Sequence, residues 1–125
     1  MAIDRIAVAL VATGALALPS AAAAARLPTP AERTAIVRAL PADFRAVPAS
    51  CVRLRVRVST SGRWARATPL YLNATTLPCS RYASNGFWLL ERSPRWTIAY
   101  EGSDPPPCSL DAPHGLTRCI PAADG

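Results

Sequence analysis

Three groups of side chains in this sequence are of types that do chemistry: a lone histidine near a serine and an aspartate, two glutamates, and a row of arginines. His114 is the sole His of the chain and closes the stretch Ser109-Leu-Asp111-Ala-Pro-His114. Serine, aspartate and histidine are the parts of a hydrolase triad, in which imidazole takes the hydroxyl proton and a carboxylate orients the imidazole. Three such groups within six residues of a Pro-containing loop rarely converge in that geometry, so His114 reads as a surface loop residue. Glu91 and Glu101 could form the carboxylate pair of a glycosidase. Each has an Arg nearby in sequence, and solvated or ion-paired carboxylates are expected instead. The four Cys show no Cys-x2-Cys spacing and only one His accompanies them, so no metal site is expected. No glycine-rich phosphate loop or nucleotide fingerprint is present, and no cofactor is expected. The inventory is that of a protein that is not an enzyme. Asn73-Ala74-Thr75 matches the N-glycosylation tripeptide, which has meaning only in a host that glycosylates.

The arginines are the one extended feature with binding character. Cys51-Val-Arg-Leu-Arg-Val-Arg-Val-Ser59 alternates with a period of two. On a strand that puts Val52, Leu54, Val56 and Val58 on one face and Arg53, Arg55 and Arg57 on the other, about 7 Å apart. Arg63 and Arg66 extend the row if the next strand pairs with this one, and Trp64 would stand beside it as a stacking platform. Such a patch could meet an anionic polymer or an acidic extracellular protein. The competing reading is a solvated outer face in an Arg-biased chain: all 14 basic residues are Arg.

The rest of the chain must position these residues. The 125 residues are expected to form one domain after a leader. Met1 to Arg5, an uncharged run from Ile6 to Leu18, and Pro19-Ser20 with the alanines up to Ala25 have the form of a secretory signal peptide, residues 1–25. The run is too short to span about 30 Å of hydrocarbon, so no stable membrane anchor is expected. Cleavage after Ala25 would remove one Arg and one Asp and leave the net charge at +6. A secreted protein, extracellular or associated with the cell wall, is the expectation. Nucleic acid is a poor partner for an exported chain.

Residues 26–125 then form a single small α+β domain. Thr29-Pro30-Ala31-Glu32 fits a capping box at the start of a helix that Pro41 ends. Ile36, Val37 and Leu40 share one face, and a helix this short must be held by docking that face on the sheet. The first strand begins at Cys51. Thr60-Ser61-Gly62 interrupts the pattern, which resumes at Arg63 to Ala67, and Pro69 restricts the chain beyond it to an edge strand or irregular structure. Asn85-Gly86 leads into a hairpin of Phe87–Arg92 and Arg95–Glu101 around Ser93-Pro94. Pairing Glu91 opposite Trp96 aligns Phe87, Leu89, Trp96, Ile98 and Tyr100. The expected architecture is one N-terminal helix packed on an antiparallel sheet of about four strands, with two disulfides.

A domain of this size is marginal by burial alone, and Cys51, Cys79, Cys108 and Cys119 in an exported chain read as two crosslinks. Cys108–Cys119, across a short loop with Pro113 and Gly115, is favoured, leaving Cys51–Cys79. Cys51–Cys119 with Cys79–Cys108 stays open. In either arrangement the aperiodic tail from Gly102 is tied down.

The strand ending Val58-Ser59 through Trp64-Ala65, then Asn85-Gly86 to Arg92 and Arg95-Trp96 to Gly102-Ser103, resembles small secreted bacterial proteins of unassigned function. The layout is similar to cystatin-like folds, which implies one helix packed on a curved antiparallel sheet. The Gln-x-Val-x-Gly loop through which cystatins block cysteine peptidases is absent, so the resemblance implies architecture and not inhibition. The expected function is a non-enzymatic extracellular binding or interaction module. A secreted inhibitor of an extracellular hydrolase is the alternative.

Overall fold

The computed structural model describes residues 25–121. The expected leader lies outside the described residues except for Ala25, which starts the first strand. The order of elements is β1 (Ala25–Arg26), α1 (Pro30–Ala39), α2 (Ala42–Arg45), β2 (Val52–Ser59), β3 (Trp64–Tyr71), β4 (Phe87–Arg92) and β5 (Trp96–Gly102). The strands form one sheet in chain order, antiparallel at every step. The α+β class and both disulfides are as expected. The sheet has five strands and not about four, and the helix follows a strand instead of heading the domain. The additional strand has two residues, too few to carry any period in the sequence.

Helix α1 begins as its residues dictate. Thr29 Oγ1 accepts from Glu32 N–H at 3.1 Å, and Glu32 accepts from Thr29 N–H at 2.9 Å. These two bonds satisfy two of the donors a helix start leaves orphaned. Glu32 also accepts twice from Arg26, at 2.7 and 2.9 Å, which ties the helix start to β1. Arg33 donates to Leu54 O in β2. Ile36 and Leu40 are buried against Val56, Val58, Ala65, Ala67, Trp88, Leu90 and Trp96. The register sets small residues against large ones: Ala67 opposes Trp88, and Ala65 opposes Leu90. The methyl groups leave room for the indole and the isobutyl group. Phe44, from α2, meets Trp88 edge-on at 4.7 Å between centroids.

Pro69 is tolerated because of where it falls. It pairs with Leu54 of β2, while β4 pairs only with Trp64 to Ala67, so β3 is an edge on its other side from Thr68 onward. The β2–β3 turn uses Gly62 at φ 73°, a left-handed conformation that favours glycine, with Gly62 N–H donating to Ser59 O. Ser59 is buried, and its Oγ accepts from Trp64 N–H.

The β4–β5 hairpin departs from the expected register. Arg92 opposes Trp96 and Glu91 opposes Thr97, one residue away from the Glu91–Trp96 pairing. A one-residue shift exchanges the faces of a strand. Trp96 therefore joins Trp88 and Leu90 in the core under the helix, not Phe87 and Leu89. A bulge between Leu89 and Leu90 takes up one extra residue of β5, so that Leu90 opposes Ile98 and Leu89 opposes Tyr100. Ser93-Pro94 left the turn open to either register, and the demand to bury Trp96 decides it.

The tail is the largest departure. Cys51 joins Cys79 and Cys108 joins Cys119. The second crosslink closes a loop further held by a Pro107–Ile120 bridge, with Cys108 N–H donating to Ile120 O and Ile120 N–H to Pro106 O. This loop lies across the face of the sheet opposite the helix. Pro106, Leu116 and Thr117 are buried. On the sheet side the register places Trp64, Phe87 and Leu89 on that face, and all three are buried. The domain thus has a second, smaller apolar layer. Among the described residues no helix is long and apolar enough to cross a membrane.

Candidate anion-binding face

The arginine row forms where the alternation of β2 puts it. Arg53, Arg55 and Arg57 share the face away from the helix, opposite Leu70, Thr68 and Arg66 of β3. Arg53 and Arg55 are exposed, and Arg57 is partly covered and donates to Val56 O. Arg57 and Arg66 are directly opposed. Two like charges in that relation repel each other across the ladder.

Arg66 resolves the conflict by turning under the tail. Its guanidinium lies 3.9 Å from the centroid of the Phe87 ring and donates to Leu116 O at 3.1 Å and, through Nε, to Thr68 Oγ1 at 3.3 Å. The aromatic face and the carbonyl each stabilise a partly desolvated cation. Burial pushes the Arg66 pKa down, and the nearby Arg55 pushes it the same way. The two ion pairs among the described residues, Arg26–Glu32 and Arg63–Glu91, involve none of Arg53, Arg55, Arg57 or Arg66. The result is a crowd of guanidinium groups with no ion-paired carboxylate.

A groove of about 270 Å³ runs where the row meets the tail, lined by Arg55, Arg57, Arg66, Thr68, Leu70 and Leu116. It adjoins a second hollow of about 400 Å³ at the far side of Arg66, which His114 and Arg118 border. One wall of both is therefore apolar and backbone, and the floor is cationic. That combination suits a chain-like anion with an uncharged backbone between its charges.

No protein-family model, curated protein or solved structure matches the chain. The face's own residues bear on what it can do.

Two residues expected in the patch are not in it. Arg63 sits in the turn before β3 and is held by Glu91 at 3.0 Å. Trp64 is on the correct face but is only 7% exposed, so it offers no stacking platform. The tail that covers Trp64 has no period to announce where it docks. Thr68 and Arg118 are not among the expected residues. Extending the β2–β3 register one residue past Ala67 would have found Thr68; nothing in the sequence points to Arg118.

The other candidate groups do not assemble. Ser109, Asp111 and His114 are all exposed, and among the described residues no hydrogen bond joins their side chains. Asp111 is committed locally, at φ 61°, as the cap of the short 3-10 turn Cys108–Leu110. Glu91 opposes Thr97, whereas Glu101 opposes Trp88, so the two carboxylates lie at different levels of the hairpin.

Proposed function

We propose that this protein is an exported, non-enzymatic binding module whose ligand is an anionic polymer met outside the membrane, seated along Arg53, Arg55, Arg57 and Arg66. The observation that carries the reading is the crowding of these groups without a carboxylate. Opposed and adjacent guanidinium groups destabilise a fold unless something screens them, and a polyanion laid along the groove does so. Arg66, already partly desolvated and aimed by Phe87 and Leu116 O, needs little reordering to receive one charge of the ligand.

Export is part of the same proposal. Two disulfides suit an oxidising compartment. The leader-like residues 1–25 give the route, and the cystatin-like layout, one helix across an antiparallel sheet, gives the scaffold. An arginine row on such a scaffold is held at fixed spacing by the strand ladder, which favours a polymer with regularly placed charges over a globular partner.

The test is retention on an immobilised polyanion compared with a plain sulfonate resin. Arg53→Ala with Arg55→Ala is expected to lower the eluting salt concentration on the polyanion much more than Arg45→Ala with Arg81→Ala, which removes the same charge elsewhere. Equal losses in the two double variants would leave only net charge at work and would overturn the reading.

A further inference from the structure

We propose that the groove between α1 and the β4–β5 hairpin is a second anion site, built for a compact oxyanion carrying at least two charges, such as a phosphomonoester or a pyrophosphate group. It lies on the helix side of the sheet, opposite the arginine row, and stands independently of the polymer reading.

The groove exists because the middle of the α1 face toward the hairpin carries methyl groups, with Glu32 and Arg38 bordering them. Ala31, Ala35 and Ala39 recur every four residues along it, and about 720 Å³ remains open between helix and hairpin. A helix face of longer side chains would fill that space.

Three guanidinium groups line the groove, each brought by a different piece of chain. Arg38 comes from the last turn of α1, Arg92 from the end of β4, and Arg95 from the turn that leads into β5. Arg38 and Arg95 are exposed, and their guanidinium groups make no hydrogen bond to another described residue. The Arg92 guanidinium donates only through Nε, to Pro94 O at a long 3.4 Å, which leaves both its terminal nitrogens free. The sole carboxylate in the lining is Glu32, and it is already occupied by both terminal nitrogens of Arg26 and by Thr29 N–H. Its pKa is held down to about 2 mainly by the Arg26 hydrogen bonds, so it remains an engaged carboxylate and not a free counter-ion. The groove is therefore cationic, with its one carboxylate already engaged by Arg26.

The ligand class follows from direction and count. Guanidinium forks bind oxyanions two oxygens at a time, and forks arriving from three elements need acceptor oxygens pointing three ways. A carboxylate has two coplanar oxygens and one charge. A terminal phosphate has three oxygens and close to two charges, and pyrophosphate has more of both. Trp96 borders the groove at 9% exposure, so an anion bound there alters the surroundings of its indole. A soluble phosphate compound and a lipid headgroup share this chemistry.

The experiment is a titration of the full chain with inorganic pyrophosphate, followed by calorimetry and by tryptophan emission. A parallel arm uses flotation with phosphatidylcholine vesicles containing phosphatidic acid, compared with phosphatidylcholine alone. Saturable binding is expected in at least one arm. Arg38→Gln with Arg95→Gln should weaken it at least about tenfold, the scale of two lost charge-assisted bonds. Both side chains lack protein partners, so an unchanged melting curve should confirm folding. Arg53→Ala with Arg55→Ala should leave this binding as it was. Binding in the vesicle arm alone identifies a lipid headgroup, and binding of pyrophosphate identifies a soluble phosphate; either supports the site if the Arg38/Arg95 variant loses it. Absence of saturable binding in both arms, or equal binding by that variant and the wild type, overturns the site. Loss in the Arg53/Arg55 variant alone places the anion on the opposite face; it overturns this site and leaves the polymer reading standing.

Discussion

Leu89 and Leu90 are consecutive residues of β4, both 0% exposed, and they belong to different layers of the protein. Leu90 faces α1 and packs with Ile36, Leu40, Val56, Val58 and two indoles. Leu89 faces the tail, in a layer whose cover is a disulfide loop with two backbone bonds across its neck. The first layer is secondary structure against secondary structure, held by side-chain fit. The second is irregular chain against a sheet, held by a crosslink and by an arginine turned onto a phenyl ring. The sheet is thus asymmetric: one face is committed to holding the fold, and the other mixes burial with exposed charge. A binding groove can open at the margin of the tail layer because cover there is incomplete. On the helix side a groove opens only beside the core, between the alanine side of α1 and the hairpin, and leaves Ile36 and Leu40 docked.

Replacing each leucine by alanine tests this difference most strongly. Leu90→Ala is expected to cost about 4 kcal/mol, because its neighbours are fixed by strand ladders and a docked helix and cannot close the cavity. Leu89→Ala is expected to cost about 2 to 3 kcal/mol, since the tail loop can settle into the space. Chemical denaturation measures both. Equal costs would show that the tail is as rigid a wall as the helix.

Removing the crosslink of the weaker layer comes next. Cys108→Ser with Cys119→Ser releases a loop with a sequence separation of 11. The expected cost is about 3 kcal/mol on the chain-entropy model. The emission of Trp64 should shift to the red as its cover loosens, while Trp88 and Trp96, under the helix, should not respond. Unchanged emission and stability would mean that Leu116, Thr117 and Pro106 hold the tail by packing alone, and the contrast between the layers would shrink.

The two layers also differ in how far they could be read from sequence, for the same physical reason. The helix layer announces itself through periodicity: the capping box at Thr29-Glu32, the face of Ile36 and Leu40, and the alternation of β2 are local patterns that fix local structure. The class, the helix bounds and the apolar face of β2 follow from them. The favoured cysteine pairing also matched, because short loops close easily. The tail layer has no local pattern. Gly102 to Pro121 contains no period, and its docking depends on contacts with residues far away in the chain, such as Arg66 with Leu116. Hence Trp64 read as exposed and Arg66 as solvated, although both lie under the tail. The hairpin register failed for a related reason. Ser93-Pro94 does not specify a turn, and only the burial of Trp96 under a distant helix chooses between alignments that differ by one residue.

The smallest expected effect concerns how the helix layer is latched. Glu32 carries a pKa lowered from 4.5 to about 2, chiefly by the Arg26 hydrogen bonds and next by Thr29 N–H. A carboxylate whose pKa is lower folded than unfolded adds stability that is complete above the unfolded value and is lost as pH falls toward the folded one. The latch should therefore weaken between about pH 5 and pH 2. Arg26 is 39% exposed at its side chain, so solvent screens the pair and its contribution is small. Glu32→Gln keeps an acceptor for Thr29 N–H and removes the charge. It should be slightly less stable than the wild type at neutral pH, and the difference should close only as pH falls below about 2. Every other carboxylate is common to both proteins and cancels in the comparison, so the difference between the two curves reports on the helix layer alone. A wild-type curve no steeper than that of Glu32→Gln would mean that the helix is docked by Ile36 and Leu40 without help from its first turn. The helix layer would then rest on packing, and the tail layer on its crosslink.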